Sequence, residues 1–370
     1  MTGAEFQAAG LYDPQAPNAA DRLALLEWLA GRGITLEQMV AAHRRGLLTS
    51  LAGDVALRPE RRWTLAEIAD RVGMPPRRVE EMILAAGLLP PAPDEPFFND
   101  QDVATFGAFS LGAAQLGDEA VLRFVRVMGS SLARIAEAVL ALFYVHVEVP
   151  IRARHAAELT LAQAILRAIE TVHVVPEAMA RFFAAHMETA ITRFRQARRS
   201  PSAETAHFTI GFVDLVGYSR LSRRMTASEL GAVIDRFEDT AHALATVRGG
   251  RVVKLVGDEV MFVTPTAAAG CDIALALVEQ FADDPSITPR GGLASGDVLP
   301  RGGDYYGPTV NLAARLAEIA VPSELLVTPE VAAEAKSANL HFAPAGKRLL
   351  KGFEEPVTLL TVERVSDRSG

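Results

Sequence analysis

Cysteine is nearly absent from this sequence, with Cys271 the only one among 370 residues. A single cysteine cannot form an intrachain disulfide, so we expect the chain to fold in a reducing compartment. The N-terminus has neither a basic start nor an apolar run, so it does not resemble a signal peptide. Together these features predict a cytoplasmic protein.

Long uncharged hydrophobic runs are missing too. The longest apolar stretch, residues 135–151, contains Glu137, His146 and Glu148 and is closed by Pro150. A membrane-spanning helix needs about 20 nearly uncharged residues. We therefore predict that this stretch is a buried helix of a helical bundle and that the chain has no membrane span.

Basic residues are outnumbered by acidic ones. There are 37 Lys and Arg against 45 Asp and Glu, which gives a formal net charge of -8. Proteins whose main partner is nucleic acid neutralise its phosphates with a basic face. The acidic balance therefore argues against nucleic acid as the main partner of this chain.

The N-terminal half has a helical pattern. Apolar side chains recur at three- and four-residue steps, as at Val121, Val125 and Met128. This periodicity predicts an all-α domain over residues 1–176. Residues 177–200 read as one linker helix with an apolar stripe and with arginines at its C-terminal end, where cations suit the helix dipole.

The pattern changes after Pro201, where short β-rich runs alternate with helical stretches. This alternation predicts an α+β domain over residues 201–370, with helices packed on a sheet. The predicted strands cover residues 208–215, 251–256, 260–264, 290–294, 325–328 and 357–362. The predicted helices between them cover residues 228–247, 267–282 and 309–319.

A carboxylate stands where the first of these strands ends. Asp214 is followed by a small turn containing Gly217, after which a helix is expected to begin. The backbone N–H groups at the start of a helix bind phosphate, and a carboxylate beside them can hold a metal ion. The alternative is that Asp214 only caps the helix, and this motif alone does not decide between them.

A second aspartate stands in a tight turn between two strands. Gly257-Asp258 separates two apolar runs, which is typical of a β-hairpin. Asp258 could be no more than a turn-forming residue. Two strand-end aspartates in one domain, however, suit a pair of divalent cations, which stabilise the attacking and leaving oxygens in phosphoryl chemistry.

The third motif is a polar pair on an apolar helix. Asn311 and Arg315 are four residues apart and so share a helix face, which must meet either solvent or a polar site. In a polar site, Arg315 could offset the charge that develops on a reacting phosphate. Taken alone, this pair would be read as solvent-exposed.

In this order and at these spacings the three motifs resemble the catalytic domain of class III nucleotidyl cyclases. The resemblance covers residues 205–365 and includes Ala313-Ala314-Arg315-Leu316 and the turn at residues 350–353. It implies a ferredoxin-like βαββαβ core and an adenylate cyclase that converts ATP to 3′,5′-cyclic AMP and pyrophosphate.

The resemblance assigns a role to each motif residue. Two Mg²⁺ or Mn²⁺ ions per site would be held by Asp214, Asp258 and the Leu215 carbonyl. Asn311 would orient the ribose, and Arg315 would stabilise the transition state. The candidates for phosphate contact are the backbone of Leu215, Val216, Gly217 and Tyr218 and the side chains of Lys351 and Arg301.

Lys254 and Asp304 match the residues with which the family selects the base. Adenine has an acceptor at N1 and a donor in its exocyclic amine, so its site needs one donor and one acceptor. A lysine and an aspartate supply these two groups. Guanine has the reverse pattern, and the pair therefore predicts that ATP is the substrate.

Each catalytic role is filled once per chain. In the family, the metal-binding residues and the base-binding and transition-state residues of one site come from opposite subunits. The resemblance therefore implies a two-fold homodimer with two equivalent sites, and a monomer that is inactive.

Residues 63–80 look like a helix–turn–helix, with Gly73 near the crossing of the two helices and Arg77 at the start of the second. This leaves an alternative, a DNA-binding regulator that senses through a cyclase-like C-terminal domain. Against it, Glu80 and Glu81 lie beside the face that would read the bases.

A helical domain followed by a cyclase domain also resembles the mycobacterial-type cyclases with an N-terminal autoinhibitory domain. That resemblance implies regulation by pH and a lipid or fatty acid in the N-terminal domain. His186 on the linker stripe and His207 beyond it are the candidate pH-sensing groups, since an imidazole titrates at about pH 6.5. Whether the N-terminal half inhibits or activates stays open.

Overall fold

The computed structural model describes residues 1–57, 61–154, 156–172, 174–197, 204–217, 223–282, 284, 287–336 and 338–365. The chain forms two compact units, Met1–Arg181 and Phe182–Gly370. The boundary between them falls inside one helix, Val175–Ala197. Among the described residues, no helix is long and apolar enough to cross a membrane.

The first unit is all-helical, as the periodicity predicted. A five-residue π-helical segment, Tyr144–Glu148, joins two of its helices, and an isolated β-bridge pairs Trp63 with Phe98. The helices are α1 Gly3–Ala8, α2 Ala19–Gly31, α3 Leu36–Arg44, α4 Leu51–Leu57, α5 Leu65–Val72, α6 Pro76–Ala85, α7 Asp100–Leu116, α8 Asp118–Phe143, α9 Val149–Ala153, α10 Glu158–Val172 and the start of α11 Val175–Ala197.

Several of these helices begin at residues whose side chains satisfy the unpaired N–H groups of the first turn. At α5, the Thr64 hydroxyl accepts from the Glu67 N–H and the Glu67 carboxylate accepts from the Thr64 N–H. Such a capping box stabilises a helix start by about 1 kcal/mol. The same helix ends at Gly73, whose left-handed backbone (φ 65°) favours glycine.

The apolar stretch at residues 135–151 is not buried within this chain, so that prediction is wrong. Leu140 is 65% exposed and Leu142 is 62% exposed. Helix α8 buries only side chains near its start, such as Val121 and Val125, against the small core beneath α5 to α7. That core is too short to cover a helix of 26 residues.

The second unit is built on an eight-stranded sheet. All six predicted strands and all three predicted helices are present, to within a few residues at most ends. Three elements were not predicted, namely the strands Asp304–Tyr306 and Leu340–Arg348 and the short helix Pro329–Glu334, and the strand Pro289–Arg301 was predicted too short. The elements are β1 Ala206–Leu215, α12 Ala227–Val247, β2 Arg251–Val256, β3 Glu259–Thr264, α13 Ala267–Gln280, β4 Pro289–Arg301, β5 Asp304–Tyr306, α14 Pro308–Ile319, β6 Leu325–Val327, α15 Pro329–Glu334, β7 Leu340–Arg348 and β8 Val357–Arg364.

The sheet order confirms the α+β class and the ferredoxin-like core. The segment from β1 to β4 has the βαββαβ order, and its strands lie side by side as β2-β3-β1-β4, all antiparallel. Strand β6 then adds parallel to β4, and β8 and β7 extend the sheet antiparallel. Short β5 pairs with the end of β4.

Both faces of the central strands are covered, which is why β1 is buried nearly throughout. Val213 packs with residues of α12 and α13 on one face, and Phe212 packs with residues of α14 on the other. Helix α14 lies very close to β4, because a Cβ on Gly292 would come within 2.5 Å of the Ala313 carbonyl oxygen. The end of β1 and the β2–β3 turn are thereby fixed on one rigid sheet.

Candidate active site

The structure brings Asp214, Asp258 and Glu259 together as a carboxylate cluster. Asp214 is the penultimate residue of β1 and pairs across the sheet with Glu259 on β3. Asp258 occupies the turn just before Glu259, and the Leu215 N–H donates to the Asp258 carbonyl oxygen at 3.2 Å. This backbone bond holds the hairpin turn beside the end of β1.

The carboxylates of the cluster repel one another. Burial raises the pKa of Asp258, and the neighbouring charge of Asp214 raises it further. Burial likewise raises the pKa of Glu259 to about 7, with Asp214, Glu318 and Asp258 adding to the effect. A site that makes negative charge this unfavourable is one where a cation is stabilising.

Arg290 on β4 is the cation that Asp214 contacts in this structure. Its Nε and Nη2 donate to Asp214 Oδ2 at 3.2 and 3.0 Å. Its Nη1 donates to the carbonyl oxygens of Glu318 and Ala320, each at 2.9 Å. Arg290 therefore joins the carboxylate cluster to the C-terminal end of α14. Neither Arg290 nor Glu259 was predicted from the sequence as a site residue.

The donor set fits a magnesium or manganese ion that arrives with a nucleotide. Among the described residues, no group of three or more His, Cys, Asp or Glu is placed to hold a metal by itself. Mg²⁺ usually takes only one or two carboxylates and completes its coordination with water and substrate phosphates. Asp214 and Asp258 match that requirement.

The loop after β1 has fewer unpaired N–H groups than the sequence suggested. The Leu215 N–H is used by Asp258, and the Val216 N–H donates to the Thr288 carbonyl oxygen at 2.9 Å. Neither can donate to a phosphate in this conformation. Gly217 is exposed, with φ 83°, and Tyr218 lies outside the described residues. Phosphate binding by this loop stays a prediction, and it now depends on Gly217 and Tyr218.

Lys254 and Asp304 form an ion pair, which we call the base-reading pair after the role that the sequence predicts for it. Lys254 Nζ donates to Asp304 Oδ2 at 2.6 Å, although 50 residues separate them along the chain. Asp304 Oδ1 also accepts from the Tyr305 N–H at 2.8 Å. The side chains are 41% and 24% exposed, so a ligand can reach both.

The remaining candidates lie on α14 and on two turns. Asn311 is exposed, and Arg315 is 33% exposed and makes an ion pair with Glu318 of its own helix. Lys351 is exposed in the turn between β7 and β8, and Arg301 is exposed at the end of β4. Arg315 must leave Glu318 before it can contact a substrate.

Both halves of the chain match known families. Residues 5–190 match the adenylate cyclase regulatory domain, and residues 201–363 match the adenylate and guanylate cyclase catalytic domain. The chain belongs to the adenylate cyclase family. This enzyme is accordingly a phosphorus–oxygen lyase that forms cyclic AMP from ATP, with a class III catalytic domain following a regulatory domain.

Mycobacterial relatives match this chain over most of its length. An uncharacterised protein of Mycobacterium tuberculosis strain H37Rv is 34% identical over 364 residues, which are 95% of this chain and 92% of the relative. The pH-sensitive adenylate cyclase of M. tuberculosis strain CDC 1551 is 31% identical over 369 residues, covering 95% and 90%. The crystal structure of an adenylyl cyclase from P. aeruginosa has a TM-score of 0.41 and 24% identity, covering 45% of this chain and 98% of that one.

The helix–turn–helix segment lies inside the regulatory-domain match. Helices α5 and α6 form as the sequence indicated, but the arginines that would meet DNA are held by acids. Arg77 and Arg78 each contact Glu81 at 3.2 Å, and Arg78 also contacts Asp118 at 2.9 Å. These contacts and the family match give the DNA-binding alternative no support.

Proposed function

We propose that this adenylate cyclase uses two divalent metal ions at an active site shared by two subunits of a homodimer. The observation that carries the metal assignment is the carboxylate cluster, in which Asp214 and Asp258 meet despite their mutual repulsion. When bound, Mg²⁺ or Mn²⁺ would activate the ribose 3′-OH and neutralise the leaving pyrophosphate. Asp214, Asp258 and the Leu215 carbonyl are the groups that would hold these ions.

The side chains around the cluster supply orientation and charge. Arg290 balances Asp214 before substrate arrives, and it can turn toward phosphate oxygens once Asp214 has another cation. Asn311 orients the ribose ring by hydrogen bonding. Arg315 exchanges Glu318 for the reacting phosphate, where its charge stabilises the transition state.

The base-reading pair gives the preference for ATP. Lys254 donates to adenine N1, and Asp304 accepts from the exocyclic amine. In support, the two side chains meet at 2.6 Å and remain partly exposed. Guanine would place a donor against Lys254 and an acceptor against Asp304, and each mismatch leaves a polar group unpaired.

The homodimer follows from the way the roles are distributed. Within the part of the chain that the structure describes there is one carboxylate cluster, one base-reading pair and one α14. The family combines the first of these with the other two from the opposite subunit. Two copies therefore complete two equivalent sites.

We further propose that the N-terminal unit regulates the enzyme in response to pH or to a lipid. The regulatory-domain match and the name of the pH-sensitive relative support this proposal. The exposed apolar residues Leu140 and Leu142 give a lipid a surface to bind. His186 is exposed, and His207 Nε2 lies 2.7 Å from Glu334 Oε1.

Metal dependence tests the catalytic proposal. The purified full-length chain should form cyclic AMP and pyrophosphate in equal amounts when Mn²⁺ is present, and neither product in excess EDTA. Activity that survives EDTA treatment and dialysis would refute the two-metal assignment.

The regulatory proposal is tested by the pH–activity profile of the full-length chain between pH 5.5 and 8, with His186→Ala and His207→Ala beside wild type. We expect the pH response to shift in at least one variant. If both variants reproduce the wild-type profile, these histidines do not sense pH.

A further inference from the structure

Asp304, the acceptor of the base-reading pair, directly follows a turn whose backbone has unusual conformational freedom. Arg301 and Asp304 pair across the β4–β5 hairpin, so its loop consists of Gly302 and Gly303 alone. Both glycines have positive φ, 63° and 82°. Glycine has the largest backbone freedom of any residue. The turn by itself therefore fixes the Asp304 carboxylate only weakly.

Arg251, the first residue of β2, reaches across to this turn. Its Nη2 donates to the Gly303 carbonyl oxygen at 2.7 Å. Its guanidinium also lies over the Tyr305 ring, 5.6 Å from the ring centroid. Arg251 thus contacts the residues immediately before and after Asp304.

The Tyr305 ring is held from its other side by the core of the sheet. It packs edge-to-face on Phe208, with the ring centroids 5.3 Å apart. Phe208 is on β1 and is only 1% exposed, so it cannot move without disturbing the core. The segment that carries Asp304 is therefore held by two groups, the Phe208 ring on β1 and the Arg251 guanidinium. We call these two contacts the clamp.

The same strand carries the donor of the pair, since Lys254 stands three residues after Arg251 on β2. One strand therefore holds both the donor and the side chain that anchors the acceptor. Since Arg251 contacts Gly303 and Tyr305, we expect a change in these contacts to move Asp304 relative to Lys254.

We propose that Arg251 is a positioning residue for base selection: it fixes Asp304 against Lys254 and thereby sets the preference for adenine over guanine. This inference rests on the proposed base-reading role of Lys254 and Asp304. A loosened Asp304 should weaken ATP binding more than GTP binding. Asp304 would accept from the amine at C6 of adenine, and guanine has a carbonyl oxygen at that position. The chemical step at the α-phosphate is not directly affected.

The test compares kcat and KM for ATP and for GTP, with the full-length chain and Mn²⁺. Arg251→Gln removes the charge and the fork-shaped donor set, and Arg251→Lys keeps the charge. Asp304→Ala reports on the base-reading role itself. Lys336→Gln removes an exposed cation of the same unit and serves as the matched control.

We expect Arg251→Gln to lower the ratio of kcat/KM for ATP to kcat/KM for GTP by about tenfold, the worth of one charge-assisted hydrogen bond. The change should appear mainly in KM for ATP, with kcat within about twofold of wild type, since uniform binding affects KM. Arg251→Lys should recover part of the ratio, and Lys336→Gln should match wild type.

The inference is overturned if Arg251→Gln leaves the ATP-to-GTP ratio unchanged while Asp304→Ala lowers it. A ratio that Asp304→Ala also leaves unchanged would instead refute the base-reading role, and the inference with it. Should Arg251→Gln fail to fold, Tyr305→Leu is the second variant. It disrupts the clamp by removing the aromatic ring that Arg251 and Phe208 contact, in the residue that follows Asp304. An unchanged ratio in Tyr305→Leu would then overturn the inference.

Discussion

At the scale of single residues, the carboxylate cluster lowers the stability of the folded chain. Asp258 has its pKa raised by burial and by Asp214, so its charged form is less stable in the folded chain than in water. Groups of this kind persist where a substrate or metal needs them. Removing one should harm the reaction more than the fold.

Asp258→Ala tests this directly. Cyclic AMP formation should fall by at least about a hundredfold, because the metal ion that this carboxylate would hold is what stabilises transition-state charge. The melting temperature in EDTA should be equal to or above that of wild type, because a repulsive charge is gone. Asp235→Ala, at an exposed position on α12, is the control and should keep full activity. Normal Mn²⁺-dependent turnover by Asp258→Ala would contradict the account.

Cys271 gives a test of the core at the same scale. It is fully buried in α13, and burial raises the pKa of its thiol to about 12. The thiolate is the reactive form, so the native protein should resist alkylation by iodoacetamide at pH 8. The unfolded chain in urea should react at one site, as mass spectrometry can measure. Rapid stoichiometric labelling of the native chain would show that the packing around α13 is wrong.

Residue positions differ in how far the sequence alone could predict them. Lys254 and Asp304 were found because the motifs around them identify the family. Arg290 was missed because its partner Asp214 is 76 positions away, and only the pairing of β1 with β4 brings them together. Glu259 was not singled out: the predicted strand began at Val260, one residue later than in the structure, and nothing local indicates the burial of Glu259.

At the scale of elements, prediction worked best where both faces of a strand are buried. Strands such as β1 and β3 are mostly apolar and were placed well. Strand β7 was missed because most of its positions are exposed and its sequence does not alternate clearly. Strand β5 has three residues and forms only because the β4 hairpin folds back on itself.

The contact of α14 with β4 can be tested with two glycines. In Gly292→Ala the new Cβ would lie 2.4 Å from the Ala317 backbone nitrogen, so α14 must move away, at a cost of about 1–3 kcal/mol. Activity should fall as well, because α14 carries Asn311 and Arg315. Gly231→Ala meets no atom within 4 Å inside α12 and should instead stabilise the chain by about 0.5–1 kcal/mol. Urea denaturation measures both changes, and equal effects would contradict the packing described.

At the scale of the whole molecule, the sequence predicted two kinds of architecture, and both are present: an all-helical unit and a ferredoxin-like catalytic unit. It could not predict which apolar surfaces the chain leaves uncovered. The exposure of Leu140 and Leu142 depends on the size of the core beneath α8. That core is built from residues far apart in the sequence, so a local pattern does not predict its size.

The central claim is that two chains share each active site, and mixing inactive variants tests it most directly. On the proposed assignment, Asp214→Ala removes a metal-binding residue, and Arg315→Ala removes a residue that the partner would supply to the same site. In an equal mixture, half the dimers are mixed and each regains one intact site, so about a quarter of wild-type cyclic AMP formation should return. Mixing Asp214→Ala with Asp258→Ala breaks both sites and should restore nothing. Failure of the first mixture to recover activity, when differently tagged chains are shown to co-purify, would contradict the shared site.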